Sequence, residues 1–207
     1  MGAPLPGLLP FVAILRGVTP DEVVAHARVL VAARFAAIEV PTNSPDWAES
    51  VRRLAEAFPD GPEIGAGTVL RLEDVDALAA TGAKLMVTPN TDAAIIRAAK
   101  AKGLRALAGA MTPTEVLAAV AAGADAIKIF PASVVGAGFA RIVKAVLPRE
   151  VPLYAVGGVK PDNLGEYAGK GWAGFGLGGE LYRPGQPAAD TEVKAAAFGR
   201  AWDALPA

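Results

Sequence analysis

Lys128 lies in the middle of Ala126-Ile127-Lys128-Ile129-Phe130-Pro131, a short run of apolar and largely β-branched residues. Runs of this length read as a strand buried on both faces, the usual state of parallel sheet. An ammonium held there is destabilising by several kcal/mol unless it is paired or gives up its proton. A lysine whose pKa falls in this way is an amine able to attack a carbonyl carbon. The alternative is a structural lysine whose head reaches past the strand end to water or to a carboxylate. Glu39, between Ile38 and Val40, is the second residue of interest, because strand alternation turns it away from those two neighbours. Together an amine and a carboxylate supply a nucleophile and a general acid/base, or else only a neutralising ion pair. Arg16 and Thr68 add donors suited to a carboxylate, which a guanidinium grips through paired hydrogen bonds. Gly157-Gly158 and Gly178-Gly179 are places where backbone N–H groups can approach an anion closely, or simply tight turns.

These residues all fall at the ends of short apolar runs that alternate with Ala-rich segments of helical period. The strands expected are Phe11 to Leu15, Ala36 to Val40, Glu63 to Thr68, Leu85 to Val87, Ala106 to Gly109, Ala126 to Phe130, Leu153 to Val156 and Gly174 to Leu177. Proline-marked helix starts are expected at Thr19-Pro20-Asp21-Glu22, Ser44-Pro45-Asp46-Trp47, Thr112-Pro113-Thr114-Glu115 and Lys160-Pro161-Asp162-Asn163. Gly82, Gly103, Gly123 and Gly171 sit where helices would end. Eight strand-helix units, spaced by roughly 20 to 25 residues, predict an α/β protein, a (β/α)8 TIM barrel, with residues 1–207 as one domain. An open doubly wound sheet is the competing architecture. The barrel matters for function because its active sites lie at the carboxyl ends of the strands.

The 207-residue chain is 53% hydrophobic and 20% charged with a net charge of −1, a balance that offers no basic face for nucleic acid. It has no cysteine, so disulfides, thiolate nucleophiles and cysteine-based zinc sites are excluded, which fits a reducing compartment. His26 is the only histidine, so Ser-His-Asp chemistry would have to use it, and a metal site would need carboxylates. Neither metal nor cofactor is expected. Met1 to Leu15 is apolar but interrupted by Pro4, Pro6 and Pro10 and makes a poor signal peptide. No run approaches the about 20 apolar residues of a membrane helix. The expected location is the cytoplasm. His26 reads as a surface or interface residue on an apolar helix from Asp21 to Arg34 that would suit burial in an oligomer. Trp47, Trp172 and Trp202 read as packing residues, and the lysines other than Lys128 as solvated.

Six ordered motifs resemble one family. Ala13-Ile14-Leu15-Arg16-Gly17, Ile38-Glu39-Val40-Pro41, Gly65-Ala66-Gly67-Thr68-Val69, Val87-Thr88-Pro89-Asn90, Ile127-Lys128-Ile129-Phe130-Pro131 and Val156-Gly157-Gly158-Val159 are similar to the signatures of the 2-keto-3-deoxy-6-phosphogluconate/galactonate aldolases, from Leu9 to about Tyr182. The resemblance implies a class I, metal-independent aldolase on a (β/α)8 barrel, usually a homotrimer. Its substrate would be a phosphorylated keto-deoxy sugar acid, cleaved to pyruvate and glyceraldehyde 3-phosphate. It also implies that Lys128 forms the Schiff base and Glu39 is the acid/base. Arg16 and Thr68 would hold the pyruvyl carboxylate, and Gly158 and Gly178 would give N–H groups to the phosphate. Val156 stands where the gluconate branch would carry threonine, which leans towards the galactonate branch. Gly179 stands where relatives often carry serine, leaving only backbone donors there. A phosphosugar isomerase or epimerase using Glu39 as base, and an idle assembly subunit, are the competing functions.

Overall fold

The computed structural model describes residues 8–148 and 150–205, so the part of the N-terminal apolar segment up to Gly7 lies outside the described residues. In chain order the elements are β1 (Leu9–Ile14), α1 (Val23–Ala32), β2 (Phe35–Pro41), α2 (Trp47–Ala57), β3 (Glu63–Gly67) and α3 (Leu72–Ala80). They continue with β4 (Leu85–Val87), α4 (Ala93–Ala101), β5 (Arg105–Ala110), α5 (Pro113–Ala121) and β6 (Ala126–Ile129). Two short helices, α6 (Ala132–Val135) and α7 (Phe139–Val143), precede β7 (Leu153–Val156), followed by α8 (Leu164–Tyr167), β8 (Gly174–Leu177) and α9 (Ala188–Asp203). Each strand pairs in parallel with the next and β8 closes on β1, giving a complete (β/α)8 barrel.

Closure buries both faces of every strand, which is why the runs are apolar throughout rather than alternating. One set of alternate residues, including Phe11, Ile38, Val40, Ile127, Ile129 and Phe175, packs outward beneath the helices. The other set, Val12, Ile14, Ala37, Leu85, Val87, Leu107, Ala126, Tyr154 and Val156, fills the barrel. With Ile38, Val40, Ile127 and Ile129 packed outward, strand alternation turns Glu39 and Lys128 between them into the barrel. At the closing seam Phe11 meets Phe35, Phe175, Phe198 and Trp202 with ring centroids 5.3, 6.1, 6.0 and 5.9 Å away, tying α9 across β1 and β8.

The strands fall within one residue of expectation at each end except β1, which begins two residues earlier. Helix starts differ more. Thr112 caps α5 as expected, with Pro113 in the first turn and Glu115 completing the reciprocal box. At the other proline sites the helix begins later: residues 19–22 form a turn in which Glu22 Oε1 accepts from the Thr19 N–H at 3.0 Å. Ser44 does not cap α2 but accepts from the Gly17 N–H at 2.8 Å, and Asn163 Oδ1 takes the Lys160 N–H at 2.8 Å. In each case the polar side chain is engaged in holding a loop. Gly82, Gly103, Gly123 and Gly171 do turn the chain at φ of 81, 76, 96 and 90°.

The expected surface or interface role of His26 is corrected. It is buried between α1 and α9, where Nδ1 is 2.8 Å from Thr191 Oγ1 and the ring stands edge-on to Tyr182. The apolar helix is also shorter than Asp21 to Arg34, and Val23, Ala27 and Leu30 bury its inner face. The tryptophans pack as expected, with Trp172 Nε1 also donating to the Ala137 carbonyl at 2.7 Å.

Candidate active site

Lys128 and Glu39 enter the barrel from β6 and β2. Both sit at interior positions set by the apolar residues on either side of them, Ile127 and Ile129 for the lysine and Ile38 and Val40 for the glutamate. Lys128 Nζ and Glu39 Oε1 are 4.0 Å apart with side chains only 6% and 2% exposed. That separation exceeds a hydrogen bond, and Glu39 Oε2 has no hydrogen-bond partner. Burial drives the Lys128 ammonium below its ordinary range; Glu39 opposes that shift and Arg16 adds to it. Burial likewise raises the Glu39 carboxyl, against the pull of Lys128 and Arg16. Both groups are thus pushed towards their neutral forms, an amine and a carboxylic acid. Gly67 makes the arrangement possible: a Cβ there would lie 1.2 Å from Glu39 Oε2.

Above this pair opens a cavity of about 490 Å³. Arg16 and Thr68 form one side. Arg16 donates to Asn43 Oδ1 at 2.5 Å and to Thr68 Oγ1 at 3.3 Å. The loop after β2 braces both residues, since Thr42 Oγ1 donates to the Thr68 carbonyl at 2.7 Å while Ser44 holds Gly17. Thr68 has φ of +56°, a left-handed conformation that is unfavourable for threonine and is concentrated at functional sites. Val156, Gly157, Gly178 and Gly179 line the other side. Gly158 is not among the lining residues: its φ is +82°, and a Cβ there would meet Ser133 Cβ at 2.6 Å, so it packs behind the wall.

Sequence reasoning did not single out several neighbours of this cavity. Phe130 lies with its ring centroid 5.5 Å from Lys128 Nζ, and Ile14, Pro89, Tyr182 and Arg183 also line the space. Asn43 and Ser44 had a usable signal, a polar run directly after a strand end, whereas Tyr182 and Arg183 follow the last glycine pair and carry none. A more open groove of about 650 Å³ lies outside the barrel around Asp21, Trp47, Glu49 and Arg53, where the arginine is tied to both carboxylates. Among the described residues no group of three or more His, Cys, Asp or Glu side chains could hold a metal ion. No helix among them is long and apolar enough to cross a membrane.

A closed parallel barrel whose carboxyl-end cavity has a buried lysine and a carboxyl at its floor places a nucleophile and an acid/base where barrel enzymes carry their active sites. Residues 7–183 match the family described as "KDPG and KHG aldolase", and the chain belongs to that family. It is 48% identical to the 2-dehydro-3-deoxy-6-phosphogalactonate aldolase of Escherichia coli (strain K12), over 94% of this chain and 95% of the relative. The solved structure described as "Native KDPGal structure" superposes with a TM-score of 0.92 at 46% identity, covering 97% of each chain. A second solved structure, "Structure of a cube-shaped, highly porous protein cage designed by fusing symmetric oligomeric domains", has a TM-score of 0.92 at 48% identity. It covers 94% of this chain and 72% of that one.

Proposed function

We propose that the chain acts as a single barrel domain that cleaves 2-dehydro-3-deoxy-6-phosphogalactonate, or its gluconate epimer, to pyruvate and D-glyceraldehyde 3-phosphate. The observation that carries this reading is the buried Lys128–Glu39 pair, too far apart for a hydrogen bond and pressed towards its neutral state under an open cavity. The neutral amine of Lys128 adds to the substrate's C2 carbonyl, and loss of water gives a protonated imine. Glu39 is near enough to move the protons of that dehydration. As carboxylate it then takes the C4 hydroxyl proton, the C3–C4 bond breaks, and its electron pair enters the imine to leave an enamine. The C4 fragment departs as the aldehyde. Protonation of the enamine at C3 and hydrolysis return pyruvate and free Lys128.

Arg16 and Thr68 hold the substrate carboxylate beside the imine, and the N–H groups of Gly157, Gly178 and Gly179, the glycines that line the cavity, serve the phosphate. Val156 lies against the C4 stereocentre and favours the galactonate epimer, in keeping with the name of the E. coli relative. Assembly as a homotrimer in the cytoplasm completes the proposal. It is supported by Leu70, Leu72, Met111 and Val134, large apolar residues exposed on the carboxyl side of the barrel, and by the cage built from symmetric oligomeric domains. No cysteine needs protection there.

The test is release of pyruvate from each epimer by wild type and by Lys128→Arg. The expected result is faster cleavage of the galactonate epimer and none by the variant, because a guanidinium forms no imine. Turnover by Lys128→Arg would instead favour an isomerase or epimerase in which Glu39 acts alone as base.

A further inference from the structure

Arg183 stands at the rim of the cavity with Gly157, Gly178 and Gly179, yet the chemistry set out above leaves it unused. Its Nε donates to the Gly179 carbonyl at 3.3 Å, and among the described residues it pairs with no carboxylate. The terminal amino groups of the guanidinium are therefore unengaged. Beside it the wall is bare: a Cβ on Gly179 would meet nothing within 4 Å, and one on Gly178 only Ile14 Cβ at 4.0 Å. A free planar cation thus faces a space with backbone donors and no side chain of its own.

The backbone beneath Arg183 is held in place by Gln186. Its Oε1 accepts from the Arg183 N–H at 3.1 Å and from Lys194 Nζ at 2.6 Å, and its Nε2 donates to the Leu181 carbonyl at 3.1 Å and to Thr191 Oγ1 at 2.6 Å. Both ends of the amide are in use, so its orientation is set. Thr191 can then give its hydroxyl hydrogen to His26 Nδ1, which puts the imidazole proton on Nε2. Tyr182, next to Arg183, donates to Glu22 Oε1 at 3.2 Å. The loop is therefore pinned to α1 and α9 on both sides of the arginine, and a cation presented from such a rigid base loses little freedom on binding an anion.

We propose that Arg183 is a substrate-binding and specificity-determining residue that grips the anionic group at the end of the substrate distant from Lys128, with Gln186 as its positioning residue. This rests on the reading of the substrate as phosphorylated. The guanidinium supplies at this rim a side-chain contact that the bare Gly179 does not, and its planar fork suits two oxygens of one phosphate.

The test compares kcat and KM for the phosphorylated sugar acid and for the same acid without phosphate, in wild type, Arg183→Ala, Arg183→Lys and Gln186→Ala. Arg183→Ala is expected to raise KM for the phosphorylated substrate about 10-fold, the scale of a charged hydrogen bond partly screened by water, with a much smaller change in kcat. KM for the unphosphorylated acid should stay within about twofold. Arg183→Lys should recover part of the loss, Gln186→Ala should lose less than Arg183→Ala, and the wild-type advantage should shrink with added salt. Equal effects on both substrates, or none on either, would overturn the role of Arg183. Wild type with no preference for the phosphorylated acid would overturn the phosphosubstrate reading itself, and the Arg183 proposal with it.

Discussion

The barrel holds two carboxylate–cation pairs, one near each end, and they are built oppositely. At the amino end Glu63, first residue of β3, meets Arg105, first residue of β5: Arg105 donates to Glu63 Oε1 at 2.5 Å, and the side chains are 23% and 38% exposed. Tyr154 lies close enough that both charges bear on its hydroxyl, which burial pushes up to about 12. Towards the carboxyl end Glu39 and Lys128 stand 4.0 Å apart and nearly dry. The first pair is hydrogen-bonded and partly exposed, although Glu63 Oε2, like Glu39 Oε2, is buried without a partner, and a guanidinium cannot give up its proton, so the pair serves as a structural clasp. The second has a gap, almost no water and a cation that can become an amine. Desolvation that a hydrogen bond does not offset becomes a shift in proton affinity, and that shift is what makes the lysine reactive.

Exchange of the cation type breaks the comparison with the largest effect. Lys128→Arg should reduce turnover by roughly 10⁴-fold or more, because no imine forms, whereas Arg105→Lys should leave kcat within a few-fold; steady-state pyruvate release measures both. Glu39→Gln keeps the shape but removes the proton acceptor and should lower kcat by about 10²–10⁴-fold while Lys128 still forms an imine with pyruvate.

Stability should move in opposite directions at the two pairs. The folded pKa of Lys128 lies below 10.5 and that of Glu39 above 4.5, so at neutral pH, where the unfolded chain carries both groups charged, both shifts oppose folding. Lys128→Met with Glu39→Leu should therefore stabilise the fold by about 1–4 kcal/mol. Arg105→Met strands Glu63 and should destabilise by about 1–3 kcal/mol. Melting temperatures should shift by about 2–4 °C per kcal/mol. A rise in both, or a fall in both, would remove the distinction.

The smallest effect belongs to His26, a third buried titratable group that belongs to neither pair. Burial lowers its pKa against the opposing pull of Glu22, so in the window below 6.5 the unfolded chain binds more protons than the folded one. Stability contributed by neutral His26 is therefore lost as pH falls below 6.5. His26→Gln should flatten that part of the stability curve by less than about 1 kcal/mol, read from urea titrations at pH 7 and 5.

Much of this was legible in the chain because of periodicity and conflict. Ile127-Lys128-Ile129 and Ile38-Glu39-Val40 set both reactive side chains opposite their apolar neighbours, which pack outward beneath the helices. Thr112-Pro113-Thr114-Glu115 was readable as a helix start because a reciprocal box uses only neighbours in sequence. What escaped depends on partners distant in sequence. Ser44 resembles a cap but serves Gly17, and His26 resembles a surface residue until α9 brings Thr191 against it. Arg183 became visible only when the barrel set its loop beside Gly157 and Gly179.

That burial makes Lys128 give up its proton more readily than an ordinary lysine is tested most directly by trapping with pyruvate and borohydride across pH 6–10, with peptide mapping. A reduced adduct is expected on Lys128 alone, with a rate of formation that levels off at a lower pH than the 10.5 of an ordinary lysine. An adduct on another lysine, no adduct, or a rate that climbs with the titration of an ordinary lysine would contradict it.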